Sequence, residues 1–282
     1  MAAMAPQFSV EFFPPRTEAG RGKLDQVHEE LTTLGVNSFS VTYGAGGSTK
    51  EGTRSIVLDY NAAGSEVAPH LSSTGQDLDV VGDLLNDYRD AGIRRLVALR
   101  GDTPPGQKRA SKGFYARDLV EFVRRHTGDH FHIKVACYPD LHPETPSFAL
   151  EIKYFRQKID AGANSAITQY FYNAESYFRF VDSCREAGID VPIVPGIMPI
   201  TNFDKLSAFS DKCGAKIPDW LASRLAGFGD DEAGLRRYGD EVVSELCGRL
   251  LEGGAPGLHF YSLNQAGPVR RIWENLGLSG SR

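Results

Sequence analysis

The chain has 282 residues, enough for one large domain or two small ones, and its 41% hydrophobic and 24% charged residues are ordinary for a globular protein. A net charge of -5 gives no basic footprint for nucleic acid or an anionic membrane, and most of the paired arginines (Arg94-Arg95, Arg124-Arg125, Arg236-Arg237, Arg270-Arg271) have acidic residues nearby, as on solvated helix faces. Cys137, Cys184, Cys213 and Cys247 form no CxxC pair, residues 1–7 do not look like a signal peptide, and no run approaches the ~18 apolar residues of a membrane span, so a cytoplasmic protein with free thiols is expected.

The first predicted strand, 8–13, carries Phe8, Val10 and Phe12 on one face and Ser9, Glu11 and Phe13 on the other. A carboxylate there is either a structural glutamate with a partner or an acid whose proton is retained by desolvation. Pro14-Pro15-Arg16 then makes a stiff exit. Further strands are predicted at 38–43, 67–71, 95–100, 132–138, 165–171, 192–198 and 257–263. Between them, amphipathic patterns predict helices at 22–34, 50–61, 76–91, 115–125, 147–161, 174–187 and 202–213. An extra helical stretch at 218–228, a long helix at 231–251 and a last helix at 268–276 complete the chain. Gly35, Gly92, Gly162 and Gly188 stand where helices must stop.

Strict β-then-α order without hairpin signals predicts parallel strands. Eight such units predict an α/β fold of the (β/α)8 TIM-barrel class, one domain over residues 1–282 with an extra helix between strands seven and eight. A doubly wound open sheet is the alternative, but it usually has fewer strands and a glycine fingerprint after the first.

In a barrel of this kind, chemistry gathers at the C-terminal ends of the strands. Those ends offer Glu11; Thr42-Tyr43-Gly44-Ala45-Gly46-Gly47; His70; Arg100-Gly101-Asp102; Tyr138 with His142; Thr168-Gln169-Tyr170-Phe171; Pro195-Gly196-Ile197-Met198-Pro199; and His259 with Tyr261. The glycines after the second strand make only half a dinucleotide fingerprint and no P-loop. His70, His142 and His259 have neither HxH nor HExxH spacing, which speaks against a metal site. Cys137 has no local signature of a nucleophile and reads as a buried thiol. An interior carboxylate, an acidic strand end, phenols, an amide and close-approach glycines, without a Ser-His-Asp set, suit redox chemistry on a planar cofactor.

Seven colinear stretches carry a resemblance to a known family: 9–17, 40–45, Ala68-Pro69-His70-Leu71, 97–106, 161–171, Pro195-Gly196-Ile197-Met198-Pro199 and 259–264. They are similar to the methylenetetrahydrofolate reductases, (β/α)8 flavoproteins of one-carbon metabolism and methionine biosynthesis. The resemblance implies FAD as cofactor, NADH or NADPH as co-substrate, and reduction of 5,10-methylenetetrahydrofolate to 5-methyltetrahydrofolate by ping-pong hydride transfer through flavin N5. It implies Glu11 as general acid and Asp102 as a catalytic carboxylate near flavin and folate, with Gln169, Tyr261 and Gln265 also on the substrate. Tyr43, Ala45, His70, Arg100, Gly101, Asp102, Tyr115, Ala116, Tyr138, His142 and Lys158 match positions lining FAD, and Thr42 and Phe203 match positions that meet the nicotinamide. Glu151, Tyr154 and Gln157 depart from the aspartate, asparagine and arginine often found in relatives. Gln265 replaces an arginine that often meets the folate's glutamate tail, for which Arg270 or Arg271 is expected to compensate. A homo-oligomer is implied. So is a catalytic domain without the eukaryotic regulatory domain, and hence without inhibition by S-adenosylmethionine. The rival readings are another flavin barrel such as proline dehydrogenase, a folate-dependent demethylase paralogue, and a non-catalytic folate- or flavin-binding subunit.

Overall fold

The computed structural model describes residues 6–36, 38–43, 50–72, 77–101 and 115–278. Its strands are β1 (Gln7–Phe12), β2 (Ser38–Val41), β3 (Glu66–Ser72), β4 (Arg95–Leu99), β5 (His132–Cys137), β6 (Ser165–Thr168), β7 (Ile193–Val194), β8 (Gly196–Ile197) and β9 (Gly257–Tyr261). The helices are α1 (Glu18–Leu34), α2 (Lys50–Ala62), α3 (Leu78–Asp90), α4 (Ala116–Thr127), α5 (Phe148–Asp160), α6 (Ala174–Glu186), α7 (Phe203–Cys213), α8 (Asp219–Ala226), α9 (Glu232–Glu252) and α10 (Ala266–Asn275). Three helices, α7 to α9, fill the connection between β8 and β9, where an extra helix was expected.

All strand pairs are parallel, in the order β7-β6-β5-β4-β3-β2-β1-β9-β8. The two ends of that order are halves of one stretch. The strand expected at 192–198 is broken at Pro195, which has no N–H to continue a ladder. β7 pairs with β6, β8 pairs with β9, and the carbonyl of Pro195 accepts from His259 N at 3.0 Å. The broken strand therefore brings the sheet round into a TIM-like barrel. Gly196 sits at this seam: its N–H donates to Thr168 Oγ1 at 2.8 Å, and a Cβ there would strike the Thr168 carbonyl oxygen.

Helix starts follow their caps. Thr17 accepts from Gly20 N at 3.1 Å, so α1 begins at Glu18, four residues before the predicted start. Asp77, Ser147, Asn173, Asn202 and Asp231 cap α3, α5, α6, α7 and α9 in the same way. α10 begins at Ala266, with Pro268 in its first turn, where a missing N–H leaves no bond unmade. Gly35 closes α1 at φ 104°, a left-handed conformation suited to glycine.

The strand faces divide the interior. Phe8, Val10 and Phe12 of β1 point outward into the main core under the helices, where Phe8 meets Trp273 edge-on at 4.7 Å and Phe12 stacks with Phe39 at 5.3 Å. The other face, register-matched through Glu11↔Ser40, Ser40↔Ala68 and Ala136↔Ile167, lines the bore. Ala68, Val97 and Ile167 form a small apolar cluster within it. Toward the strand starts the bore is polar: Arg95 pairs with Glu66, His132 Nε2 lies 2.8 Å from Ser165 Oγ, and burial pushes Lys134 down to about 8. Among the described residues no helix is long and apolar enough to cross a membrane.

Candidate active site

Glu11 stands one residue before the end of β1, opposite Ser40 of β2 and Tyr261 of β9. Its backbone carbonyl accepts from Ser262 Oγ at 2.8 Å, which ties β1 to the turn after β9. Its side chain, 22% exposed, faces the bore with Oε2 3.6 Å from His70 Nε2 and 3.8 Å from His259 Nε2. Both distances exceed a direct hydrogen bond. Ser9 Oγ lies 2.7 Å from His259 Nδ1 and so orients that ring. Desolvation by burial raises the Glu11 pKa, and the opposing pull of His70 is smaller. Burial also lowers the imidazoles, His70 to about 4 and His259 to about 3, so both are neutral at pH 7. Neutral imidazoles supply no full positive charge to hold Glu11 ionised. The carboxyl thus stands, its pKa raised, in a buried polar nook bounded by His70 Nε2, His259 Nε2 and Ser40 Oγ, none of which has a hydrogen-bond partner among the described residues.

Ser9, and its bond to His259, is the part of this nook that the sequence did not single out. Ser9→Ala should leave the buried Nδ1 of His259 unpaired and destabilise the fold by about 1–3 kcal/mol. Urea unfolding checks this, and an unchanged midpoint would show that the bond contributes nothing.

A second group follows β4 and β5. Arg100 Nη1 bonds Glu144 Oε2 at 2.7 Å, and Glu144 N donates to His142 Nδ1 at 3.0 Å. The His142 ring meets Tyr138 edge-on at 4.6 Å, and the backbone N–H of His142 donates to Glu151 Oε2 at 3.3 Å. Lys158 reaches in from α5, donates to the Ala136 carbonyl at 2.8 Å and lies 5.9 Å from the Tyr138 ring centre. Burial lowers both His142 and Lys158. Arg100, Tyr138, His142 and Lys158 are thus brought into one strip, with the carboxylates of Glu144 and Glu151 between them. Gly101, at φ 83°, follows Arg100. Tyr115 caps α4, with its N–H on Asp118 Oδ2 at 2.7 Å, and Ala116 is buried behind it. Gln157 accepts from Arg117 Nη1 at 2.8 Å, and Tyr154 is exposed. Thr42 and the half-buried Tyr43 follow β2, Thr42 N bonding the Phe12 carbonyl at 2.8 Å. Ala45 and Asp102 lie outside the described residues.

A cleft of about 570 Å³ opens at the ends of β8 and β9, between α7, α9 and α10. Met198, Phe209, Leu263 and Gln265 line it, together with Lys205, Arg236 and Arg271. Phe203, the aromatic expected at the nicotinamide, is half-buried and packs against the main core. The ring in the cleft is Phe209, 40% exposed and stacked on Tyr170 at 6.1 Å. The two are six residues apart on one helix, about 120° around its axis, which is why one ring packs inward and the other faces the cleft. Gln169 follows β6, its Oε1 accepting from Tyr170 N at 3.0 Å. Tyr261 donates its hydroxyl to the Thr168 carbonyl at 2.8 Å and presents its ring to His259 at 5.3 Å. Gln265 is exposed at the N-cap of α10 without a side-chain cap bond. Arg270 turns to Glu30 of α1 at 2.7 Å, whereas Arg271 lines the cleft and pairs with Asp240 of α9.

Comparison with known proteins relates the chain to one family. Residues 1–277 match the sequence profile of the Methylenetetrahydrofolate reductase family. The chain is 40% identical over 271 residues to the 5,10-methylenetetrahydrofolate reductase of Escherichia coli (strain K12), covering 96% of this chain and 90% of that one. It is 38% identical over 285 residues to Methylenetetrahydrofolate reductase (NADH) 1 of Arabidopsis thaliana, covering 96% of this chain and 48% of that one. Among solved structures, an uncharacterized protein from Clostridium thermocellum that binds two copies of 5-methyl-5,6,7,8-tetrahydrofolic acid shares the fold, with TM-score 0.66 and 17% identity over 97% of this chain and 95% of that one. By the profile match and the identity to curated relatives, the chain belongs to the methylenetetrahydrofolate reductase family.

Proposed function

We propose that this oxidoreductase reduces 5,10-methylenetetrahydrofolate to 5-methyltetrahydrofolate at the expense of NADH or NADPH, with FAD as carrier and Glu11 as general acid. The observation that carries the reading is the Glu11 carboxyl, its pKa raised by burial, inside the barrel mouth between two neutral imidazoles. The residues present fit FAD. Arg100 and Lys158 supply cations for a diphosphate, Tyr138 and Tyr115 supply rings, and the buried Nε2 of His70 has a hydrogen-bonding position unfilled. Bound FAD would supply a two-electron carrier between the nicotinamide and the folate.

Glu11 gives its proton to N10 of the folate's imidazolidine ring, the bond from the bridging carbon to N10 breaks, and an iminium at N5 results. Gln169, at the end of β6, presents an amide toward the same mouth to orient the pterin. Asp102 would favour the cationic iminium through its carboxylate. Phe209 rather than Phe203 offers a ring for a planar ligand in the cleft, and Thr42 stands at the end of β2 for the nicotinamide. An anaerobic titration tests the reading. The purified protein should be yellow, reduced nicotinamide should bleach it, and methylenetetrahydrofolate should restore the colour. Restoration by pyrroline carboxylate instead, or no flavin spectrum at all, would overturn it.

A further inference from the structure

We propose that Ser262 and Asn264, in the turn between β9 and α10, are positioning residues that clamp the outer edge of β1 and so hold the Glu11 carboxyl inside the bore. The inference rests on the proposed role of Glu11 as general acid and names what keeps that acid in place. β1 and β9 last pair at Glu11↔Tyr261, after which the chain turns away toward α10. In a parallel ladder alternate residues serve one strand edge, so the Glu11 carbonyl and both backbone groups of Phe13 face β9 with no strand left to meet. On the opposite edge Phe12 is already held, its carbonyl accepting from Thr42 N at 2.8 Å.

Two side chains continue the ladder where the backbone stops. Ser262 Oγ donates to the Glu11 carbonyl at 2.8 Å. Asn264 Oδ1 accepts from Phe13 N at 3.0 Å, and its Nδ2 donates to the Phe13 carbonyl at 2.8 Å. A side-chain amide can do this because it carries a donor and an acceptor side by side, as a peptide group does. The turn is bent to deliver it. Gln265 N closes on the Ser262 carbonyl at 3.0 Å, and Leu263 and Asn264 between them both take left-handed backbone, at φ 49° and 57°. Asparagine tolerates that region, whereas a bulky leucine there is strained and persists only where surrounding bonds over-determine it. Pro14 and Pro15 follow Phe13 at once and have no N–H to extend the ladder, so the hold on this edge falls to the clamp. The groups that tune the Glu11 carboxyl lie elsewhere: His70 on β3 and His259 and Tyr261 on β9, with Lys134 of β5 acting on the two histidines. Ser262 and Asn264 are neutral, so cutting the clamp changes no charge. It lets water reach the carboxyl, which then titrates closer to its ordinary value.

Asn264→Gly keeps a residue at ease in left-handed backbone and deletes both amide bonds, so it separates the clamp from the strain of the turn. Ser262→Ala removes the third bond, and Ser262→Thr restores the hydroxyl. Glu11 is titrated by the NMR signal of its carboxyl carbon, with no substrate needed, and the two half-reactions are followed by anaerobic stopped flow. In Asn264→Gly and in Ser262→Ala the Glu11 titration should fall by about one pH unit, and folate reduction at pH 8, where the acid is scarce, should slow about tenfold to match. Flavin reduction by nicotinamide should stay within about twofold, and Ser262→Thr should behave as wild type. In the unaltered protein the Phe13 amide should exchange with solvent at least about 100-fold slower than an unbonded amide, because its acceptor is the clamp. That measurement stands even where a variant fails to fold, and free exchange at Phe13 overturns the proposal. So do an unmoved Glu11 titration in both variants and equal losses in both half-reactions. A chain that never reduces methylenetetrahydrofolate but shows the shifted titration sinks the proposed activity and leaves the clamp standing. One that reduces it with Glu11 titrating alike in all variants does the reverse.

Discussion

Glu11→Gln is expected to slow folate reduction by about 100- to 10,000-fold, the range lost with a general acid, while flavin reduction by nicotinamide stays near the wild-type rate. The amide keeps the shape of the side chain and removes only the transferable proton. The half-reaction that needs no proton at the folate should therefore be spared. Stopped-flow absorbance of each half-reaction measures the split, and equal losses in both would make Glu11 structural. Stability gives a second, opposite reading. Burial raises the Glu11 pKa above 4.5, so its contribution to folding is fully present below about pH 4.5 and is lost as pH rises through the folded-state value. A permanently neutral glutamine escapes that loss. The variant should be at least as stable as the wild type at pH 7, with the difference closing under acid. His70 and His259 impose the reverse slope on both proteins: their contribution is present above about pH 6.5 and is lost toward about 4 and about 3. The comparison is therefore cleanest above that window.

The second large effect is expected at the barrel seam. Gly196→Ala would place a methyl group against the Thr168 carbonyl oxygen and 2.6 Å from the Tyr261 ring. The first of these is backbone and cannot swing aside. The substitution should cost about 3 kcal/mol, the upper end for an overpacked interior, and should also shift Tyr261, whose hydroxyl is bonded to that same carbonyl. Urea unfolding and the near-ultraviolet tyrosine signal would report both. A variant that unfolds at the wild-type midpoint would show that the seam can open to admit the extra carbon.

The barrel was legible in the sequence because each unit repeats the same alternation and most helices announce their caps. What escaped was decided by contacts that no local pattern encodes. The run at 192–198 reads as one strand on hydrophobicity, and Pro195 was the visible sign that it breaks. Gly20 and Gly22 lower helix propensity enough to hide the true start of α1, which the Thr17 cap overrides. Glu11 was conspicuous as a charge in an apolar strand. Its environment was not, because Ser9 and His259 are 250 residues apart and meet only through the β1–β9 register. Arg270 and Arg271, adjacent in sequence, point about 100° apart on α10, so one serves α1 and the other the cleft. That Phe209 of α7 faces the cleft is likewise a matter of helical phase.

The β1–β9 seam bears on how such a chain can be made. β1 leaves the ribosome before the other strands of the barrel and its partner β9 after them, so the edge carrying Glu11 has no neighbour on that side until residue 257 is available. Contacts of this sequence separation are the slowest to form, because loop closure must come before any reward. The site is consequently completed in one late step, when β9 docks. Nascent or truncated chains that end before β9 would carry a nearly complete set of site residues and yet present an open strand edge, a species for chaperones rather than for substrate.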